Sequence, residues 1–417
     1  MNAAGIDVSS RKSTVAVLRP FGEVIRLPFD VAHSAEGLAS LAQQLKSLDG
    51  ETRIVMEHTG RYYEPVAKAL HDAGLYVSAV NPLLIKEYGA NSLRRVKTDK
   101  ADAVKIARYA LDNWADLRDY TPMDTIRYDL KTLNRQFQLA SKQRTACANN
   151  LIALLEQSFP GIRKCFESPV RSDGTQKWVD FAYTFWHVDC VRKQSLNAFS
   201  ERYRKWCKRH GYFFKQSNAE EVYSLAKNAV VLVPKSEVTK VLVQEAANQL
   251  TSLSHSVETY RAEMERLASV LPEYPVVMEM YGVGKSFGPQ LMAEIGDVCR
   301  FERKQSLVAF AGIDPMPNQS GEKNVRSNKS SKRGSPYLRK TLFNIMSIYL
   351  KCAPQDEPVF QFLDRKRSEG KPYYVYMTAA SNKFLRRYYA KVRDYLATLD
   401  NLPPVDMDST GLNQHSR

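Results

Sequence analysis

Four acidic residues have the types and spacing for metal chemistry. Asp7 falls in the short run GIDVS, Glu57 closes the run IVME just before HTG, and Asp99 and Asp102 stand three apart in KTDKADA. Residues three apart share one face of a helix. Two acids on strands beside a helical Asp-x-x-Asp would crowd four negative charges, which is costly unless cations fill the gap. Hard oxygen ligands select Mg²⁺ or Mn²⁺, and two such ions would clamp the attacking and leaving oxygens of a phosphoryl transfer. Taken singly each acid has a plainer role: Asp7 in a turn, Glu57 on the surface, Asp99 as a helix N-cap. The combination is what points to chemistry. His58 adjoins Glu57 and is read as structural. Arg94, Arg95, Lys97 and Lys100 bracket Asp99 and suit a phosphate backbone, or else form a solvated basic face.

A second group lies far along the chain. The stretch AGIDPMPNQSGEKNVRSNKSSKRGSPYLRK carries Lys323, Arg326, Lys329, Lys332, Arg333, Arg339 and Lys340 against only Asp314 and Glu322. Ser320, before Gly321, sits on an expected turn after Pro315 and Pro317. A hydroxyl among cations can attack a phosphodiester, although on residues alone a basic DNA-binding loop is the simpler reading. Upstream, Gly282-Val283-Gly284 precedes a helix expected over 289–295. Gly-x-Gly opening a helix is the turn in which helix-hairpin-helix modules grip a phosphate through backbone N–H groups.

The elements that must position these groups follow from periodicity. Residues 5–18 alternate around a turn at 9–12 and suit a hairpin, with 23–29 as a third strand. Helical spacing over 34–48, a strand over 53–57, a helix over 63–73, a strand over 75–80 stopped by Asn81-Pro82, and a helix over 100–111 complete the order βββαβαβα. That order is the RNase H-like (RuvC-like) pattern. Two long helices are expected over 124–158 and 236–270. The apolar series of the second, Leu242, Ala246, Gln249, Leu253, Val257, Tyr260, Met264 and Leu267, approximates a heptad seam. The pair is a packed helical hairpin within one chain or a dimerisation arm. Between them, about 165–235, aromatics interleave with bases, either as the core of a small helical insert or as a stacking surface for unpaired bases. The fold class is thus α/β plus α. The expected domains are a catalytic domain over 1–118, coiled-coil helices with an insert over 119–273, a mainly α C-terminal domain over 274–399 and a disordered tail over 400–417.

Composition narrows the class. Of 417 residues, 44% are hydrophobic and 25% charged, so collagen-like and disordered chains are excluded. The balance of 60 Lys+Arg against 45 Asp+Glu leaves +15, which favours a nucleic-acid partner. No apolar run approaches the ~20 residues of a membrane span. The first residues lack signal-peptide features, and the six cysteines form no CxxC pair. A cytoplasmic protein is expected.

The chain resembles the DEDD transposases of bacterial insertion sequences (the insertion-sequence one-ten family, with the Piv-type invertases). The resemblance is carried by GIDVSSRKSTVAV, VMEHTGRYYEPVAKAL, VNPLLIKEY, VKTDKADAVKIARYA, GVGKSFGPQLMAEIGDVCRF, LVAFAGIDPMPNQSGEK, SKRGSPYLRKTLF and GKPYYVYMTAASNKFLRRYY, in the family's order. It implies a RuvC-like domain whose Asp7, Glu57, Asp99 and Asp102 bind Mg²⁺, and a C-terminal domain whose SG dipeptide makes Ser320 the nucleophile. It further implies a structured noncoding bridge RNA that pairs with donor and target DNA. The assembly it implies is a dimer of dimers combining one subunit's acids with another's serine, working at the nucleoid by strand exchange through a covalent protein–DNA intermediate. The departure is the segment 165–234, which shorter members largely lack. A metal-only RuvC-like nuclease or junction resolvase needs no serine and is the alternative; a non-catalytic binding protein is disfavoured by the complete set of four acids.

Overall fold

The structure is a computed structural model and describes residues 1–58, 60, 62–88, 98–315, 319–320, 323–324 and 330–400, with backbone alone at 319, 320, 323, 324 and 400. Two compact units divide the chain, Met1–Met123 and a second beginning at Asp124.

The first unit is built on a five-stranded sheet: β1 (Asn2–Val8), β2 (Lys12–Leu18), β3 (Val24–Ala32), β4 (Thr52–Glu57) and β5 (Tyr76–Val80) in the order β3-β2-β1-β4-β5. β1 to β3 form an antiparallel meander, while β4 and β5 join parallel, which is RNase H-like order. The helices are α1 (Ala35–Lys46), α2 (Tyr63–Asp72), α3 (Pro82–Tyr88) and α4 (Asp99–Asp112). The expected order holds, with α3 added. Asn81-Pro82 ends β5 but also starts that helix, because proline is pre-set for the first helical turn.

Alternation along the strands separates two cores. Ala4, Ile6, Ile54 and Met56 face one way, with Leu41 and Leu45 of α1 and Val66 and Leu70 of α2. Ala3 and Val55 face the other way, with Ile106, Ala107 and Ala110 of α4. Asp7 and Glu57, in step with Ala3 and Val55, therefore belong to the α4 side.

The second unit is helical. Its long helices α5 (Thr125–Ser158) and α10 (Glu237–Ser269) pack along one another. Between them come α6 (Lys177–Thr184), α7 (Asp189–Arg192), α8 (Leu196–Arg209) and α9 (Gln216–Asn228). Trp178, Phe181, Phe185, Phe199, Tyr203 and Trp206 are buried together with Leu151, Leu155 and Leu250 of the long helices. The insert's aromatics thus form its core, and the exposed rings Tyr183 and Phe213 are the exceptions. The seam of α10 keeps Ala246, Val257, Met264 and Leu267 of the expected series and adds Val243, Ala247, Leu250, Ser254 and Ala268, while Leu242 is half exposed. The insert comes down on the backbone of α10 through a glycine. A side chain at Gly174 would meet the His255 amide nitrogen at 2.3 Å.

Beyond α10 follow α11 (Tyr274–Met278), α12 (Gly284–Ile295), α13 (Lys304–Ala311), the two-residue strands β6 (Gln319–Ser320) and β7 (Lys323–Asn324), α14 (Pro336–Cys352), α15 (Pro358–Ser368) and α16 (Tyr373–Asp400). α12 begins at Gly284, earlier than the expected 289, and accommodates Pro289 inside it. A core of Leu291, Leu307, Leu342, Ile345, Phe384 and Tyr388 knits these helices to α5 and α10 through Phe137 and Val257. Among the described residues no helix is long and apolar enough to cross a membrane.

Candidate metal centre and serine loop

In the first unit, glycine sets the geometry. A Cβ at Gly5 would lie 2.2 Å from the Ala103 carbonyl and 2.3 Å from the Ala107 nitrogen, so α4 rests directly on the β1 backbone. Asp7 is two residues on, while Asp99 lies one turn and Asp102 one residue before Ala103; both acids act on Asp7, so α4 runs against β1. Its first turn then meets the end of the strand carrying Asp7. Glu57 reaches the same place from β4, one step past the Ile6–Met56 pair. Thr98 caps α4 by accepting from Ala101 N at 3.2 Å, and the helix N-terminus favours the two acids in its first turn.

The charges feel one another. Burial, then the carboxylates of Asp102 and Asp99, push Asp7 from the ordinary 3.8 up to about 6. Glu57 is likewise raised, by burial and by Asp7 and Asp102, against an opposing pull from Lys105. Among the described residues no three His, Cys, Asp or Glu side chains are drawn tightly enough to hold a metal ion as they stand. The donor set is nevertheless all hard oxygen, and among the described residues the charges acting on Asp7 are those of other acids. Both features fit a divalent cation that would draw the four acids inward. Lys100 stands exposed in the first turn of α4. Arg94, Arg95 and Lys97 lie outside the described residues. Gly5 and Lys105 are the residues that sequence reasoning missed; the glycine inside a strand, and a lysine three residues after Asp102, were the available signals.

In the second unit, the loop after α13 has a well-defined stem. Gly312, at φ +65°, lies against Gly334, where a side chain would overlap the Phe310 carbonyl. Lys332 N donates to Gly312 O at 2.9 Å and Ser331 N to Asp314 O at 3.0 Å. Ser331 Oγ donates to Asp314 Oδ1 at 2.5 Å. Arg339 donates to the Ala311 and Gly334 carbonyls at 3.0 and 2.9 Å, and Lys340 to Gln138 Oε1 at 2.8 Å. Arg339 thus braces the stem, a task the expected phosphate contact leaves out, and burial lowers its pKa. Lys332 and Arg333 remain exposed. Ser320 pairs through its backbone with Lys323. Gly321, Glu322, Arg326 and Lys329 fall outside the described residues, as does the tail 401–417.

The stem is anchored by a buried polar network absent from the sequence reading. Glu294 of α12 accepts from Asn134 Nδ2 at 2.7 Å, Arg135 Nη2 at 3.0 Å and Ser335 Oγ at 2.7 Å. Gln290 accepts from Gln138 at 2.9 Å and Thr341 at 3.3 Å. Ser335 also caps α14, so α5, α12 and the loop's end share one set of bonds. Gly282 and Gly284 both take positive φ, +75° and +51°, and Gly284 faces open space.

Comparison with known proteins finds relatives for both ends of the chain, the first match running past Met123 through α5. The family described as Transposase, of DEDD and IS110 type, matches residues 4–160, and the Transposase IS116/IS110/IS902 family matches 274–361. The pilin gene-inverting protein of Moraxella bovis is 23% identical over 82% of this chain and 80% of its own. The transposase for insertion sequence element IS1111A of Coxiella burnetii is 31% identical over 29% of this chain and 32% of its own. A Thermus thermophilus RuvC structure aligns at 19% identity with a TM-score of 0.23, over 29% of this chain and 100% of that one. The chain belongs to the IS110 family of DEDD transposases.

Proposed function

We propose that this transposase excises and inserts its element by strand exchange, with Asp7, Glu57, Asp99 and Asp102 holding Mg²⁺ or Mn²⁺ and Ser320 as nucleophile. The observation that carries the reading is the crowding of like charge around half-buried Asp7. A bound divalent ion would polarise the scissile phosphate and stabilise charge on its oxygens. The chain's own part is to fix the acids against β1 through Gly5, to keep Lys105 beside Glu57, and to present exposed Lys100, Lys332 and Arg333 to phosphates. The turn at Gly282–Gly284 offers backbone N–H groups to another phosphate. The serine hydroxyl attacks phosphorus, the DNA 3′ or 5′ oxygen leaves with the proton, and a protein–DNA ester conserves the bond energy for rejoining. The likeness to a pilin gene-inverting protein supports recombination at defined sites. A structured noncoding bridge RNA as guide, assembly as a dimer of dimers and work at the nucleoid belong to the same proposal.

The test is co-purification with the flanking noncoding transcript, followed by addition of element-end and target duplexes with Mg²⁺. A discrete structured RNA and a denaturant-resistant protein–DNA adduct lost in Ser320→Ala are expected. Metal-dependent cutting that Ser320→Ala leaves unchanged would overturn the serine's role and leave a RuvC-like nuclease, a reading favoured by the acids lying together within the first unit.

A further inference from the structure

A cavity of about 410 Å³ opens in the second unit beside the Gly282–Gly284 turn, and the function proposed above gives it no task. One wall is Tyr281, 38% exposed, whose ring meets that of Tyr349 edge-on with centroids 5.1 Å apart. The opposite wall is α16, which contributes Arg387 and, one turn further, Lys391. Glu279 and Asp356 complete the rim, beside Glu357.

These side chains are not equally free. Glu357 is occupied: it caps α15 by accepting from Val359 N at 2.6 Å and Phe360 N at 3.2 Å, and it stands 3.9 Å from Arg387. Glu279, Asp356 and Lys391 form no ion pair among the described residues. The cavity therefore offers together an aromatic face, the carboxylates of Glu279 and Asp356 and the cation of Lys391, all three unpaired among the described residues, beside Arg387, whose own partner is Glu357.

An inorganic anion would satisfy the cations but not the acids, and a metal ion the reverse. An apolar ligand would strand both. A planar ring with an amino edge, tethered to a phosphate, satisfies all three: the ring lies on Tyr281, the amino group donates to Asp356 or Glu279, and the phosphate meets Lys391 and Arg387. The volume lies within the range of small-ligand pockets, about 300–1,000 Å³. We infer that the cavity binds a single unpaired nucleotide, with an amino-bearing base, displaced from the DNA held at the adjacent glycine turn. The inference rests on the chain's action on DNA, and strand exchange necessarily unpairs bases where strands part.

The test is fluorescence anisotropy of the full chain at fixed salt with three labelled duplexes: fully paired, carrying one unpaired adenine, and carrying one unpaired abasic residue. The adenine bulge is expected to bind about tenfold more tightly than the other two, the worth of one base stacked on an aromatic ring. Tyr281→Ala and Lys391→Ala should each lower the bulge's affinity toward that of the paired duplex while leaving the paired duplex unchanged. Lys391 is exposed on α16, so its replacement keeps the test valid should Tyr281→Ala unfold. Equal binding of adenine and abasic bulges, or a preference that survives both substitutions, would overturn the pocket while leaving DNA binding intact. Absence of binding to every duplex would overturn the action on DNA as well.

Discussion

Both units bury carboxylates, but they treat them in opposite ways. In the second, Glu273 and Glu294 are each 2% exposed, and each is fully provided for. Glu273 takes a bidentate pair from Arg127, one arm at 3.0 Å, and Glu294 takes three donors from α5 and the α14 cap. In the first unit Asp7 and Glu57 are only half-buried, yet burial and neighbouring carboxylates raise both pKa values, against Lys105 at Glu57 alone. A paired acid fixes helices in register, whereas an unpaired one keeps electrostatic energy that a cation can release. On the function proposed above, the contrast is between a structural acid and one kept for a ligand.

Breaking each kind should give different signatures. Asp7→Asn removes repulsion, so thermal stability without metal should hold or rise while strand transfer falls about a thousandfold. Gel assays of transfer beside a thermal melt check both halves, and a destabilised but active variant would erase the distinction. Arg127→Ala should behave the other way. Leaving Glu273 buried and unpaired should cost about 3–5 kcal/mol in urea unfolding, whatever the metal concentration.

Gly5→Ala sharpens the comparison from the backbone side. Its methyl overlaps α4, so a loss of about 1–3 kcal/mol is expected, together with weaker divalent-ion binding because the acids on α4 move. Unchanged ion affinity would detach Gly5 from the site.

The smallest effect concerns pH. Because Asp7's folded pKa is raised, the folded state holds more protons than the unfolded chain between about 4 and about 6, so metal-free stability falls as pH rises through that window. Mg²⁺ should therefore raise Tm more at neutral pH than at pH 5, by about 2–4 °C. An equal Mg²⁺ shift at both values would place the ion elsewhere.

Much of this was legible from residue order. The strands alternate, KTDKADA announces its helix, although the cap is Thr98 and not Asp99, and the four acids stand out as types that metal chemistry needs. What stayed hidden depends on neighbours distant in sequence. Gly5 looks like any strand glycine until Ala103 and Ala107 of α4 lie upon it. Gln290 and Glu294 in PQLMAEI look like a solvent face, but partners on α5 turn them inward. The α10 seam was legible at Ala246, Val257, Met264 and Leu267, but Ala247 and Ser254 carry little hydrophobic signal, while Leu242 carries much and is half exposed. Arg339, one of several loop cations by sequence, proves to brace two carbonyls.

The most direct measurement is a Mn²⁺ titration of the full chain near neutral pH, followed by electron paramagnetic resonance, with the native protein against Asp7→Asn. A saturable class of bound ion in the native chain that is lost in Asp7→Asn is the predicted result. Identical binding curves for the two proteins would contradict the assignment of the acids to a metal centre.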